Sequence, residues 1–210
     1  MAAEPRPEAV TTSGRTLILG TRNQHKVREV SRLLAPSGID VQPLPGEVEL
    51  PPETGDTFEA NAVPKARAAA AGTGHASIAD DSGIEAEALG GAPGVRSARY
   101  AGLQAGDEEN LAKLIREARA GSRLRYVCAL AYSDPETGQN EVFFGYCEGH
   151  MASEPRGSGG FGYDPVFVPD GGDGRTFAEM TQEEKAAVSH RGRALRALLP
   201  VLRAISNPTG

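Results

Sequence analysis

Two long runs of strand-forming residues, LRYVCALAYS (Leu124–Ser133) and EVFFGYCEGHM (Glu141–Met151), stand on either side of the turn-rich DPETGQN. Aromatic and β-branched residues flanking Asp, Pro and Gly predict a long antiparallel hairpin. The segments before it alternate strand with helix. TLILG (Thr16–Gly20) reads as a buried strand, and NQHKVREVSRLLAP places Val27, Val30, Leu33 and Leu34 on one helical face. A second helix is expected from about Thr57 to Ala71, with a kink or restart at Pro64, which has no amide to donate and crowds the preceding turn. A third is expected around Glu108–Ala118 and a last one over roughly Arg193–Ile205, irregular at Pro200. Strand-helix alternation joined to a long hairpin predicts an α/β fold on a mixed sheet.

The first 14 residues are rich in Pro, Ala, Glu and Thr without periodicity, and are expected to be a disordered tail. Residues 15–205 are then one catalytic domain and 206–210 a second tail. Lys and Arg total 22 against 28 Asp and Glu, a net charge of −6, so a polyanion meets repulsion and nucleic-acid binding is disfavoured. Cys128 and Cys147 lie in strand-like runs without metal-ligand spacing, which suits buried thiols in a reducing compartment. No apolar run reaches the ~18 residues of a membrane span. A cytoplasmic protein with no membrane partner is expected.

Four segments carry groups suited to chemistry. In GTRNQHKV, a strand runs into a helix that Asn23 can cap, and Thr21, Arg22, Lys26 and the free amides suit either a phosphate cradle or an ordinary capped helix with a solvated lysine. In SIADDSG, Asp80 and Asp81 are expected at the carboxyl end of a strand, where α/β sheets place ligands and where carboxylates suit Mg²⁺. Two adjacent acids are equally a turn in which Asp and Ser bond backbone amides. Glu53 in LPPETGDTFEAN is a further oxygen donor. In SEPRGSGGFGYDPVFVP, Gly157, Gly159 and Gly162 spell GxGxxG, but YDPVFVP follows where the dinucleotide fingerprint needs a helix. What is left is a glycine-rich loop presenting Phe161, Gly162, Tyr163 and Asp164 to a flat ring. In MTQEEKAAVSHRGRAL, Thr181 and Glu184 form a capping box that delivers Lys185, and Ser189 is positioned to cap the final helix, with His190 and Arg191 at its amino end.

Taken in order, TRNQHK, LPPETGDTFEANA, IADDSG, LGGAPGVRSARYAG, GGFGYDPVF and EEKAAVSHRGRAL resemble the inosine triphosphate pyrophosphatase family from about Leu17 to Leu202. The resemblance implies a two-lobed α/β fold around a long twisted mixed sheet, an active site in the cleft between lobes, a homodimer and Mg²⁺ dependence. It implies hydrolysis of aberrant purine nucleoside triphosphates, ITP, dITP and XTP, to a monophosphate and pyrophosphate. Thr21, Arg22, Asn23, Gln24, His25 and Lys26 match the triphosphate-binding segment. Asp81 matches the proton acceptor and, with Glu53, the metal-associated acids; Asp80 is a further direct or water-mediated metal partner. Ser82, Phe161, Gly162, Tyr163, Asp164, Lys185, His190 and Arg191 match the substrate-binding positions. On this reading Arg191 or a protonated His190 meets the O6 acceptor of hypoxanthine or xanthine. Many members have glycine where this chain has Arg22, which either crowds the phosphates or adds a donor to them. Two other activities fit parts of the pattern: a nucleotide sensor without turnover, and a pyrophosphatase of modified pyrimidine triphosphates.

Overall fold

The computed structural model describes residues 16–206. The expected tails lie outside the described residues, apart from Ser206, which closes the last helix. Eleven main elements follow in chain order: β1 (Thr16–Leu19), α1 (Gln24–Leu34), β2 (Asp40–Pro43), α2 (Phe58–Thr73), β3 (Ser77–Ala86), α3 (Asp107–Glu117), β4 (Arg123–Ser133), β5 (Asn140–Met151), β6 (Phe167–Pro169), α4 (Gln182–Val188) and α5 (His190–Ser206). The strands form one sheet in the order β2-β1-β3-β4-β5-β6. β1 is parallel to both β2 and β3, and the remaining pairs are antiparallel. The expected α/β fold on a mixed sheet is what forms, and β4 and β5 are the expected hairpin.

Both faces of the sheet are covered. On one, Leu17, Leu19, Ile78, Cys128 and Leu130 pack against Val30 and Leu34 of α1 and Ala194, Leu195 and Leu198 of α5. Farther along the same face, Ile84, Leu124, Tyr126, Phe167 and Phe177 build a second cluster with Leu114 of α3. On the other face, the small residues Ala79, Ala129 and Ala131 receive Phe58, Ala62 and Ala66 of α2. Gly145 on β5 is needed where α5 crosses, because a Cβ there would sit 1.9 Å from the His190 carbonyl oxygen. Cys128 and Cys147 are free and buried, as expected. No helix among the described residues is long and apolar enough to cross a membrane.

The structure differs from the expectations at three places. α2 does not restart at Pro64, and α5 continues through Pro200. Both prolines are solvent-exposed, so water can take the hydrogen bond each removes. The last helix begins at His190, earlier than the Arg193 expected from its apolar pattern but where the expected Ser189 cap puts it: the Ser189 hydroxyl accepts the Gly192 N–H at 3.2 Å. The acids of IADDSG do not end a strand. β3 continues to Ala86 because β4 pairs with it along all ten residues, whereas β1 pairs only at Ser77 and Ile78. The strand end that opens onto the site is that of β1.

Candidate active site

Asp80 and Asp81 are the fourth and fifth residues of β3, and neighbours along a strand point to opposite faces. Each acid therefore meets its own partners. Asp80 is buried toward α1 and α5, where Lys26 Nζ lies 3.0 Å from Oδ2. Arg191 donates to the same oxygen from Nε at 3.3 Å and Nη2 at 3.0 Å. Burial pushes the Asp80 carboxyl up, but the charges of Lys26, Arg191 and Lys65 outweigh it and hold the group well below the usual carboxylate range. Asp81 turns toward α2, where Asn61 Nδ2 donates to Oδ2 at 2.9 Å and the Ser82 N–H to Oδ1 at 2.9 Å. Burial, reinforced by the negative charge of Glu53, raises its pKa.

A cavity of about 400 Å³ is lined by Asp81 but not Asp80. Asp80 is enclosed by cations instead of standing as a metal partner, which corrects that expectation. At the Asp81 end, Lys65 donates to Glu53 Oε1 at 2.5 Å and to the Asp80 backbone carbonyl at 2.7 Å. Arg99 reaches the Glu53 backbone carbonyl at 3.2 Å and its Oε2 at 3.7 Å. No cluster of three or more His, Cys, Asp or Glu suited to a metal is present among the described residues. Mg²⁺ takes one or two carboxylates together with substrate phosphate oxygens, and Glu53 and Asp81, which face one cavity and repel across it, fit that demand.

The loop after β1 supplies Thr21, Asn23 and Lys26 to the same wall. Asn23 caps α1, its Oδ1 accepting the His25 and Lys26 amides at 2.9 and 3.3 Å. Arg22 lines the cavity, but its guanidinium donates to the carbonyls of Leu44, Pro45, Gly46 and Val48. These bonds pin the loop after β2. Gln24 and His25 lie outside the lining. Gln24 is exposed in the first turn of α1, and His25 stacks on Phe161 with ring centroids 4.9 Å apart.

The far end of the cavity is made by Phe161, Gly162, Tyr163, Asp164, Lys185, His190 and Arg191. Lys185 bridges Asp164 Oδ2 at 2.7 Å and Glu29 Oε1 at 2.8 Å. Glu29 also pairs with Arg191 Nη1, and Arg191 Nη2 donates to the Ser82 hydroxyl at 2.8 Å. Lys26, Asp80, Arg191, Glu29, Lys185 and Asp164 thus form one chain of alternating charge, buried except at the half-buried Lys26 and Glu29. Four of the five guanidinium N–H groups of Arg191 are used, three within that chain and one on Ser82. The expected protonated His190 is corrected: burial, with Arg191 and Lys185 nearby, pushes the imidazole well below its ordinary value and keeps it neutral.

Sequence reasoning missed Glu29, Arg99 and Tyr126, and left Lys65 unplaced. Glu29 alone carried a signal, lying three residues after Lys26 and so on the same helical face.

Comparison with known proteins gives the chain its family. The model of the Ham1 family matches residues 17–201. A dITP/XTP pyrophosphatase of Symbiobacterium thermophilum is 49% identical over 197 residues, spanning 92% of this chain and 98% of its own. The dITP/XTP pyrophosphatase of Mycobacterium tuberculosis is 48% identical over 205 residues, with 90% and 96% covered. The structure of a HAM1 protein from Coxiella burnetii superposes with a TM-score of 0.79 at 40% identity, over 90% of this chain and 98% of that one. With a family match over most of its length and relatives sharing nearly half its residues, the chain belongs to the Ham1 family.

Proposed function

We propose that this chain is a nucleoside triphosphate pyrophosphatase that hydrolyses dITP, ITP and XTP to the monophosphate and pyrophosphate, with Mg²⁺ as its cation, as a cytoplasmic homodimer that clears aberrant purine nucleotides. The observation that carries the reading is a single cavity joining an acid pair, Asp81 and Glu53, to a recognition wall around Phe161, Lys185 and Arg191. A triphosphate laid along it puts phosphates beside the acids and the base at the far end. The names of the relatives point the same way.

Asp81, aimed by Asn61 and the Ser82 amide, takes the proton of the water that attacks the α-phosphorus. Thr21, the capped amino end of α1 and Lys26 receive the pyrophosphate leaving group, since amides and cations there favour anions. Glu53 and Asp81 would hold the divalent cation, which when bound would supply positive charge against the triphosphate oxygens. Lys65, paired with Glu53 and the Asp80 carbonyl, adds a cation to that wall of the cavity. At the base end, the remaining N–H of Arg191 and the Lys185 ammonium are donors for the O6 acceptor. Adenine presents a 6-amino donor there, and a buried mismatch of that kind costs about 1–3 kcal/mol.

The test is pyrophosphate release from dITP, ITP, XTP, dGTP, GTP, ATP and dUTP in Mg²⁺, beside Asp81→Asn. Fast turnover of the inosine and xanthine nucleotides, reduced by about 10²–10⁴ in Asp81→Asn, is expected. No release from any of them overturns the reading, and retained turnover in the variant removes Asp81 as base.

A further inference from the structure

We propose that Tyr126 is a positioning residue for base recognition, fixing the His190 imidazole through the face of its ring and the Asp164 carboxylate through its hydroxyl. The inference rests on the reading of the cavity as a purine triphosphate site and names a residue that reading does not use. Tyr126 comes from β4, is buried, and lines the cavity. Its ring lies parallel to that of His190, with centroids 4.5 Å apart and an interplanar angle of 4°. Phe167 meets it edge-on at 4.8 Å and Phe177 stacks at 5.8 Å, so two further rings pack against it. Its hydroxyl donates to Asp164 Oδ1 at 3.2 Å.

That last contact separates Tyr126 from ordinary packing. A phenylalanine would fill the same volume without burying a hydroxyl, which is costly to bury unless bonded. The hydroxyl is spent on one oxygen of Asp164, and this leaves Oδ2 for the Phe161 amide at 2.9 Å and Lys185 at 2.7 Å. One side chain thereby orients three members of the recognition wall: Asp164, and through it Phe161 and Lys185. The parallel stack sets a fourth, the imidazole, which is also faced by Arg191 on its own helix, Lys185 from α4, Asp80 from β3 and Lys26 from α1.

The experiment compares Tyr126→Phe and Tyr126→Leu with the parent chain. It measures steady-state hydrolysis of dITP and dGTP, inhibition by inorganic pyrophosphate, and titration of the His190 ring protons by NMR. Loss of a hydrogen bond to a buried carboxylate predicts that KM for dITP rises about tenfold in Tyr126→Phe, with kcat changed far less. Pyrophosphate inhibition, which reads only the opposite end of the cavity, should hold in both variants. His190 should titrate as in the parent in Tyr126→Phe and move toward its ordinary value in Tyr126→Leu, where the stack is lost.

Unchanged KM in both variants overturns the proposal. So does a loss of pyrophosphate affinity in parallel with dITP, because that is a general disturbance of the fold. Should the parent hydrolyse no triphosphate, the pyrophosphatase reading fails by itself, and an unmoved His190 titration in Tyr126→Leu still refutes the positioning role.

Discussion

The two ends of the cavity handle charge in opposite ways. At the recognition end, Arg191, Asp80, Lys185 and Asp164 are each 5% exposed or less and joined into one alternating chain. At the phosphate end Asp81 and Lys65 are buried too, but Glu53 and Arg99 beside them are 32% and 28% exposed, and Glu53 is held by cations that a ligand could displace. Buried charges must be paired before the substrate arrives, since desolvating them afterwards costs several kcal/mol per ion. Half-exposed charges can exchange partners at small cost. The difference teaches that the base end is built to be the same in every state of the protein, while the phosphate end is built to change.

The strongest way to break that contrast is Arg191→Met. Removing one member of a buried pair typically costs 3–5 kcal/mol because a charge is left without compensation. Here Asp80 keeps Lys26 and Glu29 keeps Lys185, so the lower end, about 3 kcal/mol, is expected. For a domain of this size that is a fall in Tm of roughly 6–12 °C, read by calorimetry. A Tm within about 2 °C of the parent would show that the chain of charges contributes little to the fold, against the size of effect expected for a buried ion pair.

A gentler test uses pH. His190 is neutral in the fold, its folded-state pKa depressed well below 6.5 by burial, whereas in the unfolded chain it binds a proton near its ordinary value. The unfolded state therefore holds more protons below pH 6.5, and stability falls as pH drops through that window. The loss approaches about 1.4 kcal/mol per pH unit until the folded-state pKa is reached. Urea titrations at pH 7.5, 6.5 and 5.5 should show the decline from the second value onward, and His190→Gln should flatten it. A parent curve level from pH 7.5 to 5.5 would mean that the imidazole is not held neutral.

The same contrast explains what could be read before folding. The helices were legible because each has an apolar face: Val27, Val30, Leu33 and Leu34 mark α1 unaided. The caps at Asn23 and Thr181 were legible because capping is local chemistry. The course of β3 was not. Asp-Asp-Ser-Gly reads as a turn, and only pairing with β4 along ten residues carries the strand through it. Glu29 was only half legible, since spacing puts it on the Lys26 face of α1 but does not show what it meets. Its partners Lys185 and Arg191 are 156 and 162 residues away, so no window on the sequence contains the interaction that gives it meaning. Motif resemblance singled out Asp81 but left Asp80 as a second metal partner, because strand alternation, not residue type, sends one to the cations and the other to the cavity.

The smallest expected effect on the fold belongs to Glu53→Gln, and its smallness is the point. Glu53 is a third exposed and its pair with Arg99 is screened by solvent, while the buried Lys65 keeps the Asp80 carbonyl and can still donate to the glutamine oxygen, so a loss of about 1 kcal/mol is expected. Stability should barely move. What should move is the cation: with one of two carboxylates neutralised, the Mg²⁺ concentration giving half-maximal turnover is expected to rise at least tenfold, and calorimetric Mg²⁺ binding in the presence of a nucleoside monophosphate should weaken in step. Arg191→Met should do the reverse, costing stability while leaving the Mg²⁺ requirement nearly as it was. If instead both substitutions lowered Tm equally and left the Mg²⁺ requirement alone, the two ends would be one electrostatic unit, and the division between a fixed recognition wall and an exchangeable phosphate site would not hold.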